Sequence, residues 1–216
     1  MENYCIELLE AGLTKKGFQL SPVTLKIPEG YIICIKGVNG AGKTTFFRML
    51  LGRERGAFGK ITILGKRMPH EREALLQEVG FLSEENYFFE ELNPLENEQQ
   101  YASFYSHWDG RLYREKLKEF GVSSSTKIKD LSKGNKVRFQ LAFALAHSPR
   151  ILLMDEPTAG LDPVFRTKFY MLLRELISNQ EITVIFSTHL SEEIGEVADY
   201  LLEIKEGKVS LRENGA

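Results

Sequence analysis

The sequence predicts an α/β fold: a phosphate-loop core with a mixed, largely parallel sheet, an N-terminal antiparallel β subdomain and a helical insertion. Three observations carry this. Tyr31-Ile-Ile-Cys-Ile35 is a short apolar run of the kind that forms a buried strand, and it leads into the glycine-rich stretch Gly37 to Thr45. Ile151-Leu-Leu-Met154 is a continuous apolar run, as in a parallel strand covered on both faces, and Ile182-Thr-Val-Ile-Phe186 reads as a further buried strand. From Asn86 to Pro149, by contrast, no strong strand signal appears, and the segment reads as helices rich in aromatic and charged residues.

In chain order, residues 4–35 alternate apolar runs with turns, as in Val23-Thr-Leu-Lys-Ile27 before Pro28-Glu-Gly30, which predicts antiparallel strands feeding the phosphate-loop strand. Thr44 to Leu51 has the character of a helix closed by Gly52. Gly59 to Gly65 predicts a strand bounded by glycines, Glu71 to Gln77 a helix, and Val79-Gly-Phe-Leu82 a compact strand. The insertion closes with a turn at Leu131, a helix to about Ala146, and Ser148-Pro149 as its stop. Asp162-Pro163 opens a further helix, the aspartate as cap and the proline in the first turn. Its Phe165, Phe169, Leu172, Leu173 and Leu176 fall on one face. A short helix is expected from Ser191, then Tyr200–Ile204 and Val209–Leu211 paired around Glu206-Gly207. The expected organisation is a single domain over 1–216, with a core at about 1–85 and 150–216 and helices at about 86–149. No internal repeat or low-complexity tract is found, and no C-terminal accessory domain is expected.

A chain of 216 residues suits one large domain with a substantial core, and 43% apolar and 27% charged content is that of an ordinary globular protein. The 28 basic and 30 acidic residues leave a net charge of −2, which argues against a dedicated nucleic-acid binder with its basic excess. No uninterrupted apolar run approaches the ~20 residues of a membrane-spanning helix. Met1-Glu-Asn-Tyr-Cys-Ile-Glu7 has no signal-peptide character. A membrane role is therefore expected to come through a partner. Cys5 and Cys34 lie in strand-like stretches and read as buried thiols in a reducing cytoplasm, in preference to a disulfide or metal site.

The chemistry begins at Gly37-Val38-Asn39-Gly40-Ala41-Gly42-Lys43-Thr44-Thr45, which fits G-x-x-x-x-G-K-[ST]. Its glycines let backbone N–H groups converge on phosphate oxygens, joined by those of the following helix. Lys43 would reach the β- and γ-phosphates and the Thr44 hydroxyl would ligate Mg²⁺. At the end of the 151–154 strand, Asp155 is placed for the Mg²⁺ shell and Glu156 to orient or deprotonate an attacking water. Leu131-Ser132-Lys-Gly134-Asn135 precedes a helix: serine hydroxyl, glycine amide and helix N-terminus make a second anion site, although the same residues also describe an ordinary capped helix. His189 follows the strand end Phe186-Ser-Thr, where ligands bind in such sheets.

Phosphate loop, helical insertion, Leu-Ser-x-Gly, Asp-Glu-Pro-Thr-Ala-Gly-Leu-Asp and Ser-Thr-His, in that order, resemble the nucleotide-binding domain of ATP-binding cassette (ABC) transporters over essentially the whole chain. The resemblance implies a P-loop NTPase fold, ATP and Mg²⁺ as cofactors, and an ATPase that dimerises around two ATP. On it, Ser132 and Gly134 match the signature motif that binds the γ-phosphate held by the opposite subunit. Asp155 matches the Walker B aspartate, Glu156 the catalytic glutamate, Ala159 to Asp162 the loop that communicates across the dimer, and His189 the histidine contacting the γ-phosphate. The implied partners are a second ATPase subunit, identical or not, and an integral membrane permease, with this chain peripheral on the cytoplasmic face.

The chain also departs from the pattern. Lys133 and Asn135 stand where the family usually has glycine and glutamine, and Glu84 stands where a glutamine commonly offers Mg²⁺ a neutral oxygen. Glu84 can still coordinate the metal, but its charge sits uneasily beside a γ-phosphate. The family's adenine-stacking ring falls near Leu13 or Thr14, with Phe18 the nearest aromatic, which predicts weak discrimination between ATP and GTP. Tyr87, Phe88, Phe89, Tyr101, Phe104, Tyr105 and Trp108 crowd the start of the insertion. They read either as core or as the surface that receives a permease helix. The compact chain and its Ser-Lys-Gly signature resemble exporter-type cassettes. The rival reading is a soluble regulatory module of the same superfamily that uses ATP as a switch, against which Glu156 and His189 count. Repair members carry a long coiled coil and translation members two cassettes; this sequence has neither.

Overall fold

The computed structural model describes residues 3–85, 87–159, 161–180, 182–189 and 197–215. Two long strands, β1 (Tyr4–Lys15) and β2 (Phe18–Pro28), pair antiparallel across a tight turn in which Gly17 takes a φ of 77°. Then follow β3 (Ile32–Lys36), α1 (Lys43–Leu50), β4 (Ala57–Ile63), β5 (Lys66–Met68), α2 (Arg72–Leu76) and β6 (Val79–Leu82). The insertion supplies α3 (Pro94–Tyr101), α4 (Gly110–Glu119) and α5 (Lys133–Leu145). The chain returns through β7 (Ile151–Met154), α6 (Pro163–Gln180), β8 (Thr183–Thr188) and the hairpin β9 (Tyr200–Lys205) and β10 (Lys208–Glu213).

Two sheets result. One has four strands in the order β2-β1-β4-β5, all antiparallel; the other has six in the order β10-β9-β3-β8-β7-β6. In the second, β9, β3, β8, β7 and β6 run parallel and only β10 is reversed. Every residue of β7 and β8 is buried, the apolar run of β7 as expected and, in β8, the hydroxyl residues Thr183, Ser187 and Thr188 along with Val184-Ile-Phe186. One apolar core fills the space between the two sheets around α1, with Phe46 and Phe47 fully buried. A second lies on the opposite face of the parallel sheet, under α5 and α6. Asp162 caps α6, its Oδ1 accepting from the Phe165 N–H at 2.9 Å, and Phe169, Leu173 and Leu176 point inward. The helix expected from Ser191 falls outside the described residues.

The insertion has a core of its own, and it decides the two readings of the aromatics. Phe88 lies 4.6 Å from Phe139 and 4.9 Å from Phe143, ring centre to ring centre, and Trp108 lies 4.6 Å from Phe143. Tyr101 and Tyr105 join the same cluster, and buried His147 stacks on Tyr105 at 4.2 Å, with burial pushing its pKa down to about 4. Phe88 and Trp108 are therefore packing residues, the first of the two readings the sequence left open for these rings. Phe89 and Phe104 remain 52% and 70% exposed.

This topology places the chemistry. The carboxyl ends of β3, β6, β7 and β8 lie along one edge of the parallel sheet, so residues 37–42, Glu84, Asp155-Glu156 and His189 all leave from that edge.

Candidate functional site

The loop after β3 takes its shape from its glycines. Gly40 and Gly42 have φ of 81° and 103°, which side-chain-bearing residues resist, and a Cβ on Gly37 would lie 2.8 Å from the Ile204 carbonyl oxygen. The Ala41 N–H closes a turn onto the Val38 carbonyl at 3.0 Å, leaving Val38 and Asn39 at an exposed tip. Lys43, Thr44 and Thr45 form the first turn of α1, whose leading N–H groups have no acceptor within the helix. Phe18 packs on this turn: a Cβ on Gly42 would meet its ring at 2.2 Å. The ring chosen from sequence as nearest the base therefore does border the loop.

Lys43 is buried and bends back, donating to the Gly37 carbonyl at 2.8 Å while its Nζ lies 3.2 Å from Glu156 Oε1. The Thr44 hydroxyl donates to Asp155 Oδ2 at 2.6 Å, and Ser187 Oγ donates to Asp155 Oδ1 at 2.7 Å. Ser187 Oγ also accepts the Glu156 N–H at 2.9 Å. The Ser187 side chain thus fixes both acidic residues, a role not recognised from sequence. Its signal was a hydroxyl residue just past Val184-Ile-Phe186, at the carboxyl edge of the parallel sheet. Glu156 takes a φ of 50°, a conformation that costs of order 1–3 kcal/mol and persists where its surroundings over-determine it. Its Oε2 lies 2.9 Å from His189 Nδ1; a carboxylate only accepts, so Nδ1 carries the proton. Lys43, Glu156 and His189 form one continuous chain.

The Thr44 hydroxyl and Asp155 carboxylate are hard oxygen donors side by side next to the loop. They suit Mg²⁺, which takes one or two carboxylates and completes its shell with water and phosphate oxygens. Among the described residues no group of three or more His, Cys, Asp or Glu forms a self-sufficient metal cage. Cys34 lies in β3 behind the loop; burial, with the Glu156 charge adding to it, pushes its thiol up to about 12. Burial likewise pushes Cys5 up to about 12, and neither thiol is paired.

Other expected site residues are placed apart from this network. Glu84 Oε1 lies 2.8 Å from Lys133 Nζ, a solvent-open ion pair, although Glu84 borders the same cleft of about 240 Å³ as Asp155 and Glu156. In this chain, then, the Glu84 carboxylate pairs with Lys133 and makes no hydrogen bond to the Thr44–Asp155 pair. Ser132 caps α5, accepting the Asn135 N–H at 3.2 Å, and a Cβ on Gly134 would lie 3.4 Å from Leu161 Cδ2. Among the described residues no hydrogen bond or ion pair joins Ser132, Gly134 or Asp162 to the phosphate loop.

A phosphate-cradling loop, a lysine and a Thr-Asp oxygen pair at the carboxyl edge of a parallel sheet define a P-loop nucleotide site. The ABC transporter family profile matches residues 20–159, well over half of the chain, so the chain belongs to the ABC transporter family. It is 32% identical over 194 residues to the Nod factor export ATP-binding protein I of Rhizobium leguminosarum bv. viciae, covering 88% of this chain and 62% of that one. To the molybdenum import ATP-binding protein ModC of Albidiferax ferrireducens it is 31% identical over 215 residues, covering 94% and 57%. The chain thus spans about three fifths of the length of these curated relatives. Its fold matches a dimeric, post-hydrolysis structure of the ATP-binding cassette MJ0796 bound to ADP and Pi with a TM-score of 0.85 at 25% identity, covering 98% of this chain and 99% of that one.

Proposed function

We propose that this chain is the ATP-binding and ATP-hydrolysing subunit of an ABC transporter, one nucleotide-binding domain over residues 1–216. Two copies, or this chain and a related one, sandwich two ATP molecules, each between the loop 37–45 of one chain and Ser132-Gly134 of the other. The observation that carries the reading is the chain Lys43–Glu156–His189 beside the Thr44–Asp155 pair.

The roles follow from the contacts. Loop N–H groups of residues 38–45 bind phosphate oxygens, and Lys43 leaves Glu156 for the more highly charged triphosphate. That exchange frees Glu156 to take a proton from the attacking water, with His189 holding its other oxygen and orienting it. Thr44 and Asp155 would hold Mg²⁺, which supplies charge neutralisation to the β- and γ-phosphate oxygens. The exposed start of α5 meets the partner's γ-phosphate, and Asp162 anchors the adjoining turn through its cap on α6. Catalysis is then mainly positioning and electrostatic stabilisation.

Closure on ATP and reopening after hydrolysis drive a separate integral membrane permease. Among the described residues no helix is long and apolar enough to cross a membrane, which is why a partner is invoked. Exposed Phe89, Phe104 and Tyr87 supply an apolar patch for a permease helix, with the chain peripheral on the cytoplasmic face. The direction favoured is export, on the Ser-Lys-Gly signature alone, since export and import proteins both stand among the relatives.

Hydrolysis and nucleotide-driven dimerisation are tested in the Glu156→Gln variant, and a chain without Mg²⁺-dependent ATP hydrolysis refutes the reading. Two further outcomes are expected. Glu84→Gln should change turnover more than ATP affinity, measured by steady-state hydrolysis against equilibrium binding; equal turnover rejects this. GTP should compete with ATP within about threefold, since stacking on Phe18 carries no hydrogen-bond readout of the base. A preference for ATP above tenfold would rule that out.

A further inference from the structure

The two positions at which this chain departs most from the signature and metal-binding pattern are in contact with each other. Glu84 follows β6 in the parallel-sheet core, whereas Lys133 opens α5 in the helical insertion, and their side chains meet at 2.8 Å. The pair therefore ties the two parts of the chain together at the cleft that Asp155 and Glu156 also border. Both side chains are open to water, 65% exposed for Glu84 and 49% for Lys133. An ion pair so exposed contributes little net stability and is easily exchanged. The other charged groups on the cleft are Lys136 and Glu90.

We infer that Lys133 is a positioning residue that exchanges partners during the sandwich cycle. In the isolated chain it holds Glu84. When a second copy presents ATP to Ser132 and Gly134, Lys133 turns to that triphosphate, whose charge is several times that of one carboxylate and which also faces the N-terminus of α5. Glu84 is then released at the edge of its own chain's cleft, beside the metal-holding Asp155. The nucleotide bound by one chain thereby adjusts the site of the other. This rests on the dimer reading above.

A double-mutant cycle in the Glu156→Gln background tests it, with ATP and Mg²⁺ as probe and sedimentation as readout. Lys133→Gln should raise the ATP concentration for half-maximal dimerisation about tenfold, while monomer ATP binding at low protein concentration stays within about twofold. Glu84→Gln, by freeing Lys133, should lower that concentration about threefold, and its effect should vanish when Lys133→Gln is also present. The reversed pair, Glu84→Lys with Lys133→Glu, restores the ion pair but opposes the phosphate, and should dimerise no better than Lys133→Gln. Additive effects, or full dimerisation by the reversed pair, overturn the exchange while leaving the sandwich intact. If the Glu156→Gln parent itself stays monomeric, the sandwich reading fails and the exchange with it.

Discussion

A Glu156→Gln chain should hydrolyse ATP about 10²–10⁴-fold more slowly, the usual loss when a general base is removed. It should still bind ATP, and bind it no more weakly. In the free chain Glu156 competes for Lys43, which it meets at 3.2 Å through a side chain only 16% exposed. Glutamine keeps an oxygen for hydrogen bonding but has no charge with which to hold Lys43, so the lysine turns to phosphate at a lower cost. The same substitution removes one negative charge per chain beside a triphosphate, and a sandwich of two chains and two nucleotides gains twice from that. Sedimentation or size-exclusion chromatography should therefore show an ATP-loaded dimer that persists for as long as ATP and Mg²⁺ are present. A chain that remains monomeric at saturating ATP and Mg²⁺, or that hydrolyses as fast as the parent, is the result that defeats this account.

How far the sequence could anticipate this site depended on what each residue answers to. The loop 37–45, β7 and β8 were legible because their constraints are local: glycine dihedrals, a helix start, and apolar runs such as Ile151–Met154 and Val184–Phe186. Their ends then placed Lys43, Asp155, Glu156 and His189 along one edge. Ser187 was not legible, because a serine among apolar residues has no meaning until the neighbouring strand brings Asp155 within 2.7 Å. The Glu84–Lys133 pair spans 49 positions of sequence, and each residue looked like a separate departure from a pattern. The antiparallel β1–β2 hairpin was foreseen as strands, but its pairing with β4 across the start of the parallel sheet was not. The aromatics of the insertion were undecidable in one dimension, since a ring at helical spacing suits a core and a docking surface equally well.

Phe88 and Phe89 provide the sharpest separation of those two alternatives. Phe88 touches three rings, Tyr101, Phe139 and Phe143, with centres 4.6–5.5 Å away in edge-to-face arrangements. Truncation to alanine removes the ring from this cluster and its contacts with those three rings. Buried phenylalanines lose about 3–5 kcal/mol on such a change; Phe88 is half-buried, so about 3 kcal/mol is expected. For a chain of this size that corresponds to a fall of roughly 6–12 °C in Tm. Phe89 stacks on one face of Tyr101 at 5.6 Å and is otherwise open to solvent. Phe89→Ala should therefore cost less than about 1 kcal/mol. On the proposed docking at this patch, its expected effect is instead weaker capture of a permease subunit, with nucleotide binding intact. Thermal unfolding of the two variants, run beside a pull-down that compares the membrane protein each captures with what the parent captures, distinguishes the roles. If Phe88→Ala unfolds within 2 °C of the parent, the aromatic cluster is not the support of the insertion; if Phe89→Ala captures the permease normally, the docking patch lies elsewhere.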